Sequence, residues 1–349
     1  MCIEIYYIFN QEKLMVEKTF QAMVVTEEAD GTFSRCVKEQ SLGWLGDGEV
    51  LVKVHYSSLN YKDALSATGN RGVTKNYPHT PGVDAAGVVE ESSVDGIASG
   101  TQVIVTSYDL GMNTPGGFGG YIRVPASWVV ALPDNLTLKE SMILGTAGFT
   151  AAMSVAAIVD RVDAAAGDIL VTGASGGVGS VAVAILSMLG YSVTAVSGKV
   201  GAGDYLKKIG ATKIIDRKAA AEGCERPLLK TLWAGVVDTV GGDILAAAIK
   251  ATKPLGVITC CGNVASPDLP LNVFPFILRG VSLVGIDSQN CPIEYRKEIW
   301  NRLASDWKLT NLEELSRQVL LEDLDVEIGF ILSGKQRGRV VVNMLGRLE

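Results

Sequence analysis

Residues 169–188 read ILVTGASGGVGSVAVAILSM: a β-branched apolar run, a glycine turn and a helix of small residues, with nothing between them. The turn is Ala174-Ser175-Gly176-Gly177-Val178-Gly179, the pattern A-x-G-x-x-G. It constrains the fold more than any other stretch of the chain. A strand that passes straight into a helix through such a turn aims backbone N–H groups, and the positive end of the helix, at one place outside the sheet. Gly176 lets those N–H groups approach a pyrophosphate, and Gly179 lets helix and strand pack closely. A glycine string alone is weak evidence. This one follows a strand, opens a helix and lies inside a strand–helix succession, the context a dinucleotide site demands.

That succession is long. DILVTGA, GVGSVAVAILSMLG, YSVTAVSG, AGDYLKKIG, TKIIDR, AGVVDTVG, ILAAAIKATK, GVITCCG, FPFILRG and VSLVGID alternate strand and helix, as in a doubly wound parallel sheet. From Ala22 to about Ser141 the texture differs. VLVKVHYSSLN, GVDAAGVVEE and TQVIVTSY read as strands, and GGFGGYIRVPASWVVALP adds turn glycines and more strands, which predicts a mostly antiparallel, barrel-like domain. LKESMILGTAGFTAAMSVAAIV marks the change to a long helix of small residues. Beyond Pro292 come an amphipathic helix, IEYRKEIWNRLASDW, a further helix, and the strand GRVVVNML, which has no neighbour to pair with and is predicted to return to the first domain.

About twenty residues past the fingerprint, an NAD site presents a carboxylate to the ribose 2′-hydroxyl. Here that position is Ser197, in YSVTAVSGK, with Lys199 two residues on and Arg217 closing the next strand-like run. An ammonium and a guanidinium around a small hydroxyl suit a 2′-phosphate through charge-assisted hydrogen bonds. This predicts NADPH.

Composition sets the remaining bounds. A chain of 349 residues with 48% hydrophobic and 20% charged residues is two packed domains, and its net charge of −7 argues against nucleic acid as a partner. No apolar run is read as reaching the roughly 18 residues of a membrane span. Six cysteines without C-x-x-C spacing suggest a reducing compartment and a cytoplasmic protein. The only histidines are His55 and His79, and catalytic zinc needs three converging ligands, so no metal is expected. The first 22 residues lack a basic start, a cleavage site and any Arg. They fit neither a secretory signal nor a mitochondrial presequence, and are read as an extension preceding a domain that begins near Met23.

SSLNYKDALSATG, PGVDAAGVV, GTAGFTAAM, VTGASGGVGS, VSGK, DTVGG and FPFILRGVSLVGIDS occur in order between about Met23 and Asn343. Together they resemble the zinc-independent quinone-reductase branch of the medium-chain dehydrogenase/reductase superfamily, and in particular its acrylyl-CoA reductase subgroup. Zinc-dependent members carry Gly-His-Glu where this chain has Gly82-Val83-Asp84. The resemblance implies an α/β protein with a GroES-like β-rich catalytic domain, residues 23–143 and 290–349, and a Rossmann NADP-binding domain, residues 144–289. It implies NADPH-dependent reduction of the carbon–carbon double bond of acryloyl-CoA or a similar enoyl thioester. Asn60, Tyr61 and Asp63 would line the catalytic cleft. Tyr61, Thr150, Ser175, Gly176, Gly177, Val178, Gly179, Ser197, Gly198, Lys199, Arg217 and Gly262 would hold the cofactor. The subgroup often has Arg where Lys199 stands, which keeps the charge and loses bidentate geometry.

Hydride arriving at the β-carbon builds charge on the thioester oxygen, which a hydrogen-bond donor must meet and an acid must follow with a proton. Tyr61 is the expected donor. Asp63 either orients Tyr61 or Lys62 or caps a helix. Arg71 and Lys75, in the loop TGNRGVTKNYP, are candidates for a rim that takes the phosphates of a CoA substrate. A quinone or alkenal reductase shares fold and cofactor without needing that rim, and a non-catalytic NADPH-binding protein would need no cleft residues. The superfamily's habit of pairing its last parallel strand across a twofold axis, here GVSLVGID, implies a homodimer.

Overall fold

The structure, a computed structural model, describes residues 18–346. Its first part contains strands β1 (Thr19–Glu27), β2 (Phe33–Ser41) and β3 (Val50–Ser58), a short helix α1 (Tyr61–Ser66), and strands β4 (Asp84–Ser92), β5 (Gln102–Thr106), β6 (Tyr121–Val124) and β7 (Val129–Ala131). β1 and β2 form an antiparallel ribbon, which bridges to the rest at Ala22–Gly119 and Val25–His79. β1 begins at Thr19, so the first domain starts upstream of the expected Met23, because Phe20 and Ala22 pack on Leu51 and Tyr121. Residues 1–17 of the expected extension lie outside the described residues.

β3 is the spine of this domain. Val50, Val52 and Val54 enter one apolar cluster with Val103, Val105 and Ile122, while Leu51 on the opposite face meets the ribbon. Period-two alternation with both faces covered is what a central strand requires. A seven-stranded sheet forms in the order β14-β15-β3-β4-β5-β7, with β6 also pairing β3. β14 (Ser316–Leu320) and β15 (Arg339–Asn343) come from the end of the chain, and β15 lies antiparallel to β3, Val341 opposite Ser58. The final strand therefore does return to the first domain.

Helix α2 (Leu138–Val159) leads into the second part. By length and composition it could cross a bilayer, which corrects the expectation that no apolar run is that long; 83% of its most apolar window is buried inside the protein. At Gly145 the helix breaks with φ 53° and ψ −160°. A Cβ there would lie 2.4 Å from Asp84 Oδ2 and 2.5 Å from Ser58 Oγ, so only glycine allows the turn. Next come β8 (Ile169–Val171), α3 (Gly177–Met188), β9 (Val193–Val196), α4 (Gly203–Lys208), β10 (Lys213–Ile215), α5 (Arg217–Ala221), β11 (Trp233–Asp238), α6 (Gly242–Lys250), β12 (Thr252–Cys260), α7 (Phe274–Arg279) and β13 (Ser282–Gly285). The six strands are parallel in the order β10-β9-β8-β11-β12-β13. That is the doubly wound order of nucleotide-binding sheets, whose direction of progression reverses between β8 and β11. Helices α8 (Ile293–Ala304) and α9 (Leu324–Leu332) complete the chain, and Trp300 of α8 stacks on Phe149 of α2.

Candidate active site

The fingerprint loop sits at the reversal of strand order, where open parallel sheets leave a crevice. β8 ends at Val171, and α3 starts at Gly177 with Gly176 as its cap. A Cβ on Gly179 would lie 2.4 Å from the carbonyl oxygen of Gly173 and 2.7 Å from Ala174 Cα, so glycine is what lets the helix close on the strand. Asp238 ends β11 beside this loop. It accepts from Thr172 Oγ1 at 2.8 Å and from the Gly241 N–H at 2.8 Å, which fixes the two strand ends against each other.

At the ribose end, Ser197 follows β9 and its Oγ lies 3.1 Å from Ser175 Oγ, while the Lys199 N–H donates to it at 3.3 Å. Arg217 crosses directly over Gly198: a Cβ on Gly198 would meet Arg217 Nε at 2.6 Å. Lys199 Nζ donates to the Gln336 carbonyl. Burial, and then the charges of Arg217 and Arg337, hold the Lys199 ammonium below its ordinary value. The tip therefore brings together Ser175, Ser197, Gly198, Lys199 and Arg217, as the sequence suggested, with no carboxylate among them. This arrangement fits a dinucleotide that carries a ribose phosphate.

The expected catalytic group falls into two parts. Tyr61 opens α1 with 43% of its surface exposed, free to meet a substrate. Asn60 and Asp63 do not share that freedom: both are buried, and Asp63 takes the helix-cap role that was its alternative. They form a capping box, in which Asp63 Oδ2 accepts from the Asn60 N–H at 2.7 Å; its Oδ1 accepts from the Val83 N–H at 2.8 Å. Asp63 is fully buried, and burial followed by the neighbouring Asp84 pushes its acid up to about 7. Asn60 donates to Asp84 Oδ2 at 2.7 Å and accepts from Arg339 Nη1 at 3.1 Å. Buried Arg339 also donates to the carbonyls of Leu59 and Ile143 and to Ser58 Oγ. Asp84 in turn caps the second half of α2 by accepting from the Thr146 N–H and Oγ1. One buried cation and two carboxylates thus bind α1, the α2 kink and β15 into a single block. Arg339 also lies beneath the phosphate loop, since a Cβ on Gly177 would sit 3.0 Å from its Nη1.

Across the cleft, Lys62 Nζ donates to Gln289 in the loop after β13. Thr150 is bonded to Ser288 of the same loop at 2.8 Å, and at Gly262, two residues beyond β12, a Cβ would lie 2.3 Å from the Thr239 carbonyl. Arg296, wholly buried between Tyr108 and Phe149, donates to Thr106 and to the Ser288 carbonyl, tying the first sheet to that loop. Ser107 and Tyr108 beside it hold φ at 64° and 51°, a left-handed conformation non-glycine residues rarely adopt. Neither Arg296 nor Arg339 stands out in the sequence, because their partners lie up to 281 positions away. The two residues of the expected CoA rim sit in different surroundings. Arg71 pairs with Glu27 at 2.6 Å and lies over Tyr77, so its charge is already answered, while Lys75 stays exposed.

The residues do not fit a catalytic zinc. Among the described residues no three His, Cys, Asp or Glu side chains come together, and Asp84 spends its oxygens on Thr146, Ser58 and Asn60.

Comparison with known proteins agrees with this geometry. Residues 46–134 match the alcohol dehydrogenase GroES-like domain, and residues 177–305 match the domain described as zinc-binding dehydrogenase. The acrylyl-CoA reductase AcuI of Ruegeria pomeroyi is 43% identical over 327 residues, 93% of this chain and 99% of that protein. The crystal structure of the Salmonella enterica yhdH oxidoreductase in complex with NADP superposes with a TM-score of 0.90 at 41% identity, covering 93% of this chain and 99% of that one. That of Bacillus subtilis yhfP with NAD bound gives 0.90 at 42% identity, with the same coverage. A quinone oxidoreductase of Sus scrofa is 30% identical over 175 residues, 49% of this chain and 51% of that protein. With a GroES-like domain, a doubly wound cofactor domain and relatives of this likeness along nearly its whole length, the chain belongs to the medium-chain dehydrogenase/reductase superfamily of oxidoreductases, in its acrylyl-CoA reductase and quinone oxidoreductase-like group.

Proposed function

We propose that this chain reduces the carbon–carbon double bond of acryloyl-CoA or a similar short enoyl thioester with NADPH, giving the saturated thioester and NADP+. The observation that carries the reading is 43% identity along 93% of the chain to an acrylyl-CoA reductase. When bound, NADPH supplies hydride to the β-carbon. The fingerprint loop and the N-terminus of α3 hold the pyrophosphate. Ser197, Lys199 and Arg217 select the ribose phosphate. Tyr61 donates a hydrogen bond to the thioester oxygen as charge builds there, the α-carbon then takes a proton from Tyr61 or water, and the Asp63–Asp84–Arg339 block keeps α1 in place while this happens. Tyr61→Phe is expected to lower kcat about 10²-fold, the scale of one lost oxyanion donor; full turnover in that variant would remove Tyr61 from the chemistry.

The second reading, a quinone or alkenal reductase, is favoured by the pairing of Arg71 with Glu27, which weakens the CoA rim. Initial rates with acryloyl-CoA, a quinone and an alkenal, each with NADPH and with NADH, separate the two. Turnover of the quinone alone would sink the thioester reading.

A homodimer is part of the proposal. β13 is the open edge of the parallel sheet, and Val273, Phe274, Ile277 and Leu278 of the adjoining segment are all exposed apolar side chains, Ile277 by 68%. Sedimentation of the protein as a monomer at micromolar concentration would contradict it. Cys36, Cys224, Cys260, Cys261 and Cys291 are all free thiols, which supports a reducing, cytoplasmic setting.

A further inference from the structure

Beside the Ser197–Lys199 tip lies a surface cavity of about 560 Å³ lined by Lys199, Val200, Arg317, Phe330, Lys335 and Arg337. Arg317 is answered by Glu327. Lys199, Lys335 and Arg337 have no carboxylate within ion-pair distance among the described residues, and neither has Arg217 on the other side of the tip. Four uncompensated cations around one place in a protein of net charge −7 repel one another unless an anion joins them.

The loop that carries Arg337 is built against the cofactor domain. The Gly338 N–H donates to the Ser175 carbonyl at 3.0 Å, a contact with the fingerprint itself. Gly338 has φ +62°, and a Cβ there would lie 2.2 Å from the Leu315 carbonyl, so glycine permits the turn. Arg337 then rests over the Tyr205 ring, 5.0 Å from guanidinium carbon to ring centre, which holds the charge in place. Gln336, 6% exposed, gives its carbonyl to Lys199 Nζ and its Nε2 to the Gly338 carbonyl, and its buried Oε1 has no partner. Tyr205 Oη is likewise buried without a partner. A ribose 2′-phosphate offers what is missing at the cavity, an anion for the cations.

We propose that Arg337 is a specificity-determining residue for the cofactor, completing with Lys199 and Arg217 a pocket for the 2′-phosphate that draws on both domains. The inference rests on the NADPH reading of the same site and adds to it a residue about 140 positions from the tip. It explains how a lysine at position 199, without the fork of an arginine, sits in a phosphate pocket: the guanidinium geometry comes from Arg217 and Arg337.

The test uses the full-length protein and two probes that differ in the 2′-phosphate, adenosine 2′,5′-bisphosphate by calorimetry and NADH by fluorescence. Arg337→Ala is expected to weaken the bisphosphate about tenfold or more, the scale of one charge-assisted hydrogen bond, and to leave NADH within about twofold. Arg337→Lys is expected to recover part of the loss, and the wild-type advantage to shrink as salt is raised. An unchanged bisphosphate affinity overturns the proposal, and so does an equal loss for both probes, which would make Arg337 a prop for the loop. If Arg337→Ala does not fold, Arg337→Gln, which keeps the stem over Tyr205, answers the same question. Both measurements are of binding alone. A protein that shows the Arg337 effect and reduces no enoyl thioester would overturn the proposed reaction and leave this pocket standing.

Discussion

Ser197→Asp places an anion at the point where the two nicotinamide cofactors differ. Ser197 is half-buried at the end of β9, 3.1 Å from Ser175 Oγ and flanked by the Arg217 side chain that crosses Gly198. Two unit charges about 4 Å apart near a protein surface interact by about 4 kcal/mol. The exposed tip and the nearby Lys199 and Arg217 screen part of that, leaving about 2–3 kcal/mol against a ribose phosphate, or roughly 30- to 150-fold in Kd. With NADH the sign reverses, because the same carboxylate accepts from a ribose hydroxyl, a bond worth about 1.5 kcal/mol when one partner is charged. Together the terms move the NADPH-to-NADH affinity ratio by roughly 10³. Fluorescence titration of both cofactors at about 0.1 M salt reads the ratio directly, and lower salt should enlarge the effect. A ratio that moves less than about threefold, or an equal loss of both cofactors, would refute the assignment of this tip.

The buried block under α1 makes two further predictions. Arg339→Met strands Asp84 and Asp63 without their cation and should cost about 3–5 kcal/mol in urea denaturation; a loss below about 1 kcal/mol would show that the block does not depend on it. Asp63 has its acid raised to about 7, whereas the unfolded chain titrates near 4. The folded protein thus keeps a proton that the unfolded chain has released, so the stability this group contributes is full below about pH 4 and is lost as pH rises through 7. Asp63→Asn cannot titrate, so wild type should lose ground to it by up to roughly 4 kcal/mol between pH 4 and 8. A difference that stays flat or runs the other way contradicts the burial of that acid.

The parallel sheet was legible because its signals are local. Gly176 and Gly179 occupy fixed places between one strand and the helix it feeds, and Lys199 and Arg217 lie just beyond the ends of the neighbouring strands β9 and β10. The return of GRVVVNML was legible from its lack of a nearby partner. For Asp63 the sequence left two roles open, orienting a neighbour or capping the helix, because the spacing of a capping box, Asn60 to Asp63, is the same whether the acid faces solvent or Val83. Only tertiary packing decides that, and it buried the acid against Asp84. Arg296, Arg337 and Arg339 were not legible as site residues. Each meets groups that the fold brings together from distant parts of the chain, and nothing in the sequence near an arginine says what lies opposite it. The α2 helix misled in another way. A run of small apolar residues is common to a membrane span and to a helix buried between domains, and here Gly145 and Asp84 place it in the protein core.

The central claim is hydride transfer to the β-carbon of an enoyl thioester, and NADPH deuterated at nicotinamide C4, prepared separately as each stereoisomer, tests it most directly. Incubated with acryloyl-CoA and this protein, one stereoisomer should give propanoyl-CoA bearing a single deuterium at the β-carbon by mass spectrometry. A thioester recovered unreduced while the same NADPH is oxidised by a quinone, or a product without deuterium from either stereoisomer, would contradict the account.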